Sequence, residues 1–198
     1  MAITNERIVW IDCEMTGLDA VNDALIEVAA LVTDSELNIL GEGVDVVIKP
    51  TAEALAQMGD FVRTMHTNSK LIDELDAGVT MEQAQAQVLA YIRQHVPVPN
   101  KAPLAGNSVG TDRVFLARDM PELVEHLHYR VIDVSTIKEL ARRWYPRAYF
   151  QAPAKTGNHR ALGDIQDSIN ELKYYREAVF VPAPGPNSAT AKKISAQF

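Results

Sequence analysis

Asp12 and Glu14 stand two residues apart at the end of the apolar run Ile8-Val9-Trp10-Ile11. That run reads as a strand buried on both faces. Side chains alternate along a strand, so Asp12 and Glu14 project from one face while Cys13 points the other way, into the core. A buried, ionised carboxylate costs several kcal/mol unless it is compensated, and a neighbour of like charge costs more. A divalent cation would resolve the conflict. A strand end fraying into solvent would also tolerate both acids, so the rest of the chain has to separate the two readings.

Asp112, Asp164 and His159 are the other groups with chemistry in reach. Asp112 lies between Val109 and Leu116, inside the apolar stripe of a helix, where an acid is rarely buried without a partner. The plainer reading is a first-turn carboxylate favoured by the helix dipole. Asp164 falls in the first turn of the last long helix, after Gly163, whose missing side chain would let a ligand approach. His159 precedes that helix on a loop after Gly157-Asn158, and it can share a site with Asp164 only from outside the regular helix. His66, His95, His126 and His128 have no comparable carboxylate context and read as packing or surface residues.

The elements that must position these groups follow from periodicity. Leu25 to Thr33 and Val44 to Lys49 read as strands, joined through Asp34-Ser35-Glu36-Leu37-Asn38, which gives an antiparallel meander with the first strand. Helical signal starts at Thr51, with a short segment through Gln57, then Phe61 to His66, then Asn68 to Asp76. Thr80 and Gln83 form a capping-box pattern ahead of the stripe Met81, Ala84, Val88, Tyr91 and His95. Pro103 to Gly106 reads as a fourth strand leading to a helix through Arg118. Tyr129 to Val134 reads as a fifth, followed by Ser135 as a helix N-cap. The last helix begins near Ala161. These alternations predict an α/β domain over residues 1–181, a mixed five-stranded sheet flanked by helices, and an aperiodic, disordered tail over 182–198.

The order Asp12-x-Glu14, Asp112 and His159-x-x-x-x-Asp164 resembles the DEDDh class of 3′-to-5′ exonucleases. The stretch Trp10-Ile-Asp-Cys-Glu-Met-Thr-Gly-Leu18 with His159-Arg-Ala-Leu162 is similar to the oligoribonuclease branch in particular. The likeness runs from Glu6 to Arg176. It departs at Phe61, where that branch usually has tryptophan, and at Gly163, where an acid is common. The resemblance implies a ribonuclease H-like fold and two-metal hydrolysis of short single-stranded RNA, dinucleotides especially, with Mg²⁺ or Mn²⁺. It implies Asp12, Glu14, Asp112 and Asp164 as metal ligands and His159 as the general base. Leu18 would wedge at the terminal bases, Phe61 and His66 would line the pocket, and Ser108 would touch substrate. A second subunit of a homodimer would contribute Tyr129 to stack on a base, and Arg130, Ser135 and Thr136 to bind the 5′ phosphate.

Composition bounds these readings. With 198 residues and 47% hydrophobic content the chain can bury one sizeable core. A lone cysteine excludes a disulfide framework, and neither a secretory leader nor a membrane-length apolar run is visible, so a cytoplasmic protein is expected. A net charge of -7 argues against gripping long nucleic acid through many phosphates. Two other enzymes fit part of the pattern. Asp12-x-Glu14-x-Thr16 is close to the aspartyl-nucleophile phosphatase motif, although that reading leaves His159 and Asp112 idle, and a proofreading DNA exonuclease would share the same five residues.

Overall fold

The computed structural model describes residues 6–155, 157 and 159–198. Strands β1 (Arg7–Met15), β2 (Leu25–Asp34) and β3 (Ile39–Val47) form the antiparallel meander, and β4 (Pro103–Gly106) and β5 (His128–Asp133) add parallel strands in the order β3-β2-β1-β4-β5. This is the mixed five-stranded sheet expected from the sequence.

β1 is central, and its alternation divides the core. Val9, Ile11, Cys13 and Met15 face a cluster that includes Val88 and Ile92 of α4 (Met81–His95), Phe115 and Leu116 of α5 (Gly110–Asp119), and Leu123 of α6 (Pro121–His126). Trp10 faces Ala141 of α7 (Val134–Trp144) and Ile165 and Ile169 of α9 (Ala161–Ala178). Asp12 and Glu14 share Trp10's parity, so they emerge on the α9 side. The Trp10 indole is fully buried and donates to Thr33 Oγ1 at 3.0 Å, which gives its one polar atom a partner. A third cluster, Ile26, Met58, Leu71 and Leu75, seats α1 (Ala52–Gln57), α2 (Asp60–Asn68) and α3 (Leu71–Glu74) beside the β1–β2 end of the sheet.

Three sequence expectations need correction. The helix expected over Asn68–Asp76 is broken, because Lys70 adopts the left-handed conformation (φ 64°), leaving α2 to end at Asn68 and α3 to continue only as a 3₁₀ turn over Leu75–Ala77. Ser135 is not an N-cap. Asp133 caps α7 instead, its side chain accepting from Ser135 N at 2.9 Å, since a carboxylate is the stronger acceptor for a first-turn N–H. In the tail expected to be disordered, Asn187 caps a helix, α10 (Ser188–Ser195), whose Ala and Lys residues favour helix. The turn α8 (Pro146–Phe150), begun by a proline at its first position, also escaped the sequence reading. Among the described residues no helix is long and apolar enough to cross a membrane.

No residue of α10 is buried. Ending the chain at Pro182 is therefore expected to lower the melting temperature by less than about 2 °C and leave activity unchanged, as checked by calorimetry on both chains.

Candidate active site

The five candidate residues reach one region from a strand end, two helix first turns and a loop. Asp12 and Glu14 come from β1. Asp112 comes from the first turn of α5, where its Oδ1 accepts from Cys13 N at 3.0 Å, binding that helix to the strand. Asp164 lies in the first turn of α9. His159 lies just ahead of α9 with φ 50°, outside the regular helix, as sharing a site with Asp164 requires. Ligand atoms of Glu14, His159 and Asp164 all lie within 4.8 Å of one another.

The electrostatics are those of crowded anions. Burial raises the Asp12 pKa well above the carboxylate range, and Asp112, Glu14 and Asp164 add to it. Glu14, 8% exposed, is pushed to about 8 by burial and then by Asp164, Glu27 and Asp112, with Arg160 opposing. Asp112, 6% exposed, is raised to about 6 by burial, against hydrogen bonds that favour its charged form. Asp164 is raised by burial, while His159 and Lys155 oppose. A site that raises several carboxylates together, with hard oxygen donors converging beside a histidine, fits a divalent cation such as Mg²⁺ or Mn²⁺.

The other candidates divide between two ends of the sheet. Thr16 Oγ1 donates to Asp23 and the Asp23 carboxylate accepts from Asp19 N at 2.8 Å, closing a loop in which a Cβ on Gly17 would collide with that carboxylate. The loop presents Leu18 at 77% exposure. Phe61, 82% exposed, lines a cleft of about 830 Å³ together with Thr64, Met65, Lys70, His159 and Arg160. His66 does not line this cleft. It is fully buried, its Nε2 donates to the Met15 carbonyl at 2.9 Å, and its Nδ1 lies 3.9 Å from Glu14 Oε2. A carbonyl only accepts, so Nδ1 carries the lone pair. Burial lowers the ring's pKa, and the imidazole backs Glu14 without neutralising it.

Ser108 and Ser135 meet at 3.1 Å between their hydroxyls, and both backbone N–H groups donate to Asp133 at the C-terminal end of β5. Ser135 also donates to Asn107 Oδ1 at 3.0 Å, and Asn107 donates to buried Glu171 at 3.0 Å. Exposed Thr136 adjoins them. Tyr129 and Arg130 lie near the other end of β5, where Arg130 lines a cavity with Arg7 and Lys101 and stacks 5.5 Å above the Tyr129 ring. β1 and β5 run in the same direction beside β4, so that end lies roughly 20 Å from Glu14 by strand rise. Arg130 is about 15 Å from Ser135 along the chain's path. The expectation that one subunit offers Arg130, Ser135 and Thr136 to a single phosphate is therefore corrected.

Sequence reasoning missed Glu27 and the use made of Arg160. Glu27 is fully buried opposite Glu14 in the β1–β2 register, where Arg160 pairs with it at 2.7 Å. A lone acid inside the apolar run Leu25-Ile26-Glu27-Val28 was the available signal.

The Glu14 shift has a testable sign. A carboxyl whose folded pKa is raised holds its proton after the unfolded chain has lost it, so the stability it contributes disappears as pH rises through the folded value. Between pH 6.5 and 8 the metal-free protein is expected to lose melting temperature, and Glu14→Gln is expected to lose less. His66, with its pKa lowered, acts in the opposite direction only at more acidic pH. Parallel pH profiles for the parent and Glu14→Gln in thermal melts would contradict the assignment.

The sequence profile of the exonuclease family matches residues 9–172. An oligoribonuclease of Streptomyces griseus is 70% identical over 194 residues, covering 98% of this chain and 96% of that one. An oligoribonuclease of Cutibacterium acnes is 64% identical over 191 residues, 96% of this chain and 95% of that one. Among solved structures, the zinc-bound E. coli exonuclease I complex with single-stranded DNA superposes with a TM-score of 0.69 at 16% identity, over 87% of this chain but only 41% of that chain. A metal-free form of the same complex gives a TM-score of 0.65 at 17% identity, over 88% of this chain and 40% of that one. At such identity the likeness speaks for the fold alone, which is the ribonuclease H-like fold expected. A nuclease, not a phosphatase, is what these relatives describe, and the chain belongs to the exonuclease family, in its oligoribonuclease branch.

Proposed function

We propose that this protein is a 3′-to-5′ exoribonuclease that hydrolyses short oligoribonucleotides, dinucleotides above all, to mononucleotides. The observation that carries the reading is the crowding of buried carboxylates beside an accessible histidine. The donor set has the composition and convergence that Mg²⁺ or Mn²⁺ requires. Asp12 would hold both of two ions, Glu14 and Asp164 one of them, and Asp112 the other; bound there, they supply Lewis-acid activation of a water and neutralise charge on the leaving 3′ oxygen.

The chain's own residues do the remainder. His159, exposed and within 4.8 Å of Glu14 and Asp164 ligand atoms, takes the proton of the attacking water and can pass it to solvent. Leu18 and Phe61 present apolar surface at the same end of the sheet; Leu18 wedges at the terminal bases, and a base stacked on Phe61 gains about 1 to 3 kcal/mol without regard to sequence. Ser108, Ser135 and Thr136 offer hydroxyls to the 5′ phosphate of a dinucleotide. Tyr129 and Arg130 lie too far from the carboxylates of their own chain to join them, which supports their arrival from the partner in a homodimer, with Arg130 completing the phosphate pocket and Tyr129 closing over a base.

Asp12→Ala is expected to leave less than about a hundredth of parental turnover at saturating Mg²⁺, while its metal-free melting temperature equals or exceeds the parent's because repulsion is relieved. Retention of a tenth of the activity would refute the shared-ligand role. Chains carrying Tyr129→Ala and Arg130→Ala, mixed with Asp12→Ala chains, are expected to regain activity through heterodimers with one complete site. Light scattering that shows only monomers, or no regain after verified exchange, would exclude completion in trans. Catalytic efficiency is expected to fall steeply from two to five nucleotides, and Arg130→Ala to erase about ten-fold of that preference, as one charge-assisted bond would. Equal efficiency on two-mers and twenty-mers at physiological salt would indicate a general exonuclease.

A further inference from the structure

Arg160 joins three elements immediately after His159. Its Nε donates to Glu27 Oε1 at 2.8 Å, and Nη2 lies 2.7 Å from the same oxygen. Nη1 and Nη2 reach both oxygens of Glu74 at 2.7 and 3.0 Å. Glu27 turns its second oxygen to Ala161 N at 3.0 Å, so β2, α3 and the first turn of α9 are tied at one point. His159, the residue before the fork, holds a left-handed backbone (φ 50°), an uncommon conformation for a residue with a side chain, which costs it about 1 kcal/mol.

A role in stability alone does not account for this arrangement. A buried ion pair is often replaceable by apolar groups without loss of stability. Here it also places a further anion beside the site, since Glu27 adds to the repulsion on Asp12, Glu14 and Asp164. What the pair supplies that apolar packing would not is direction: a planar guanidinium engaged on two sides fixes both the position and the orientation of its backbone.

We propose that Arg160 is a positioning residue, clamped between Glu27 and Glu74 so that His159 stands over Glu14 and Asp164 where the attacking water is deprotonated. This rests on the reading of His159 as the general base, and the test separates the two. Arg160→Lys keeps a positive charge opposite Glu27 but has no fork. It is expected to lower kcat roughly 10- to 100-fold, as a misplaced base does, with KM for a dinucleotide and calorimetric Mn²⁺ affinity within about three-fold of the parent. Glu74→Gln, at a partly exposed position, is expected to give a smaller loss of the same kind. In metal-free protein with ¹³C-labelled histidine, the His159 ring signal, assigned by its disappearance in His159→Ala, should move toward the free-histidine position in Arg160→Lys. In the His159→Ala background, Arg160→Lys should cost no more than about two-fold, because a group acting through His159 has nothing left to position. Parental kcat in Arg160→Lys, an unmoved ring signal, equal losses in both backgrounds, or a loss of Mn²⁺ affinity matching the loss of rate would each overturn the proposal. A His159→Ala chain with parental turnover would instead remove the general base, and the clamp's purpose with it.

Discussion

Asp12, Glu14, Asp112 and Asp164 are held at one end of the sheet, each driven toward its protonated form first by burial and, for Asp12 and Glu14, most strongly among charges by another of the set. Left in water, such groups would separate. They are kept together by elements whose stability comes from elsewhere: β1 is enclosed by apolar clusters on both faces, and Asp112 is fastened to the strand by the Cys13 N–H. The fold thus maintains a local conflict that a cation resolves. The surrounding polar groups are placed in relation to it, neutral His66 behind Glu14 and Arg160 on Glu27.

The sheet also sets where substrate contacts can lie. The C-terminal ends of β1, β4 and β5 bring the carboxylates, the Ser108–Ser135 pair and the Asp133 cap to one side, whereas Arg7, Lys101 and Arg130 surround a cavity at the other. In a chain of net charge -7 those cations are concentrated away from the carboxylates of their own chain. If the proposed site needs Arg130, it is incomplete in a monomer, and the proposed symmetric pair would complete it by sharing residues across its interface.

Much of this was legible in the sequence, and the exceptions have causes. The strand run ending in Asp12 and Glu14, the capping box at Thr80 and Gln83, and the helix opening at Ala161 all follow from local periodicity and end chemistry, and the structure shows each of them. The break at Lys70 was hidden because lysine is not a residue whose type signals a left-handed backbone, and the apolar spacing of Leu71 and Leu75, both packed in the third cluster, reads as a continuing helix. Asp133 was overlooked as a cap because Ser135 is the residue that usually fills the role. His66 read as a pocket residue by resemblance lies inside, for its neighbours on α2 carry the exposed face. Glu27 and Arg160 are 133 positions apart, and no local pattern pairs residues at that distance.

The central claim, that these carboxylates are organised for a cation in place of protons, is tested most directly by titrating Mn²⁺ into the metal-free protein at pH 7 in two buffers of different ionisation enthalpy. Carboxyls held protonated by burial and mutual repulsion must release protons as metal binds, so the apparent heats should differ between the buffers by an amount that corresponds to net proton release, and less so in Glu14→Gln. Mn²⁺ binding with identical heats in both buffers, or no binding at millimolar metal, would contradict the account.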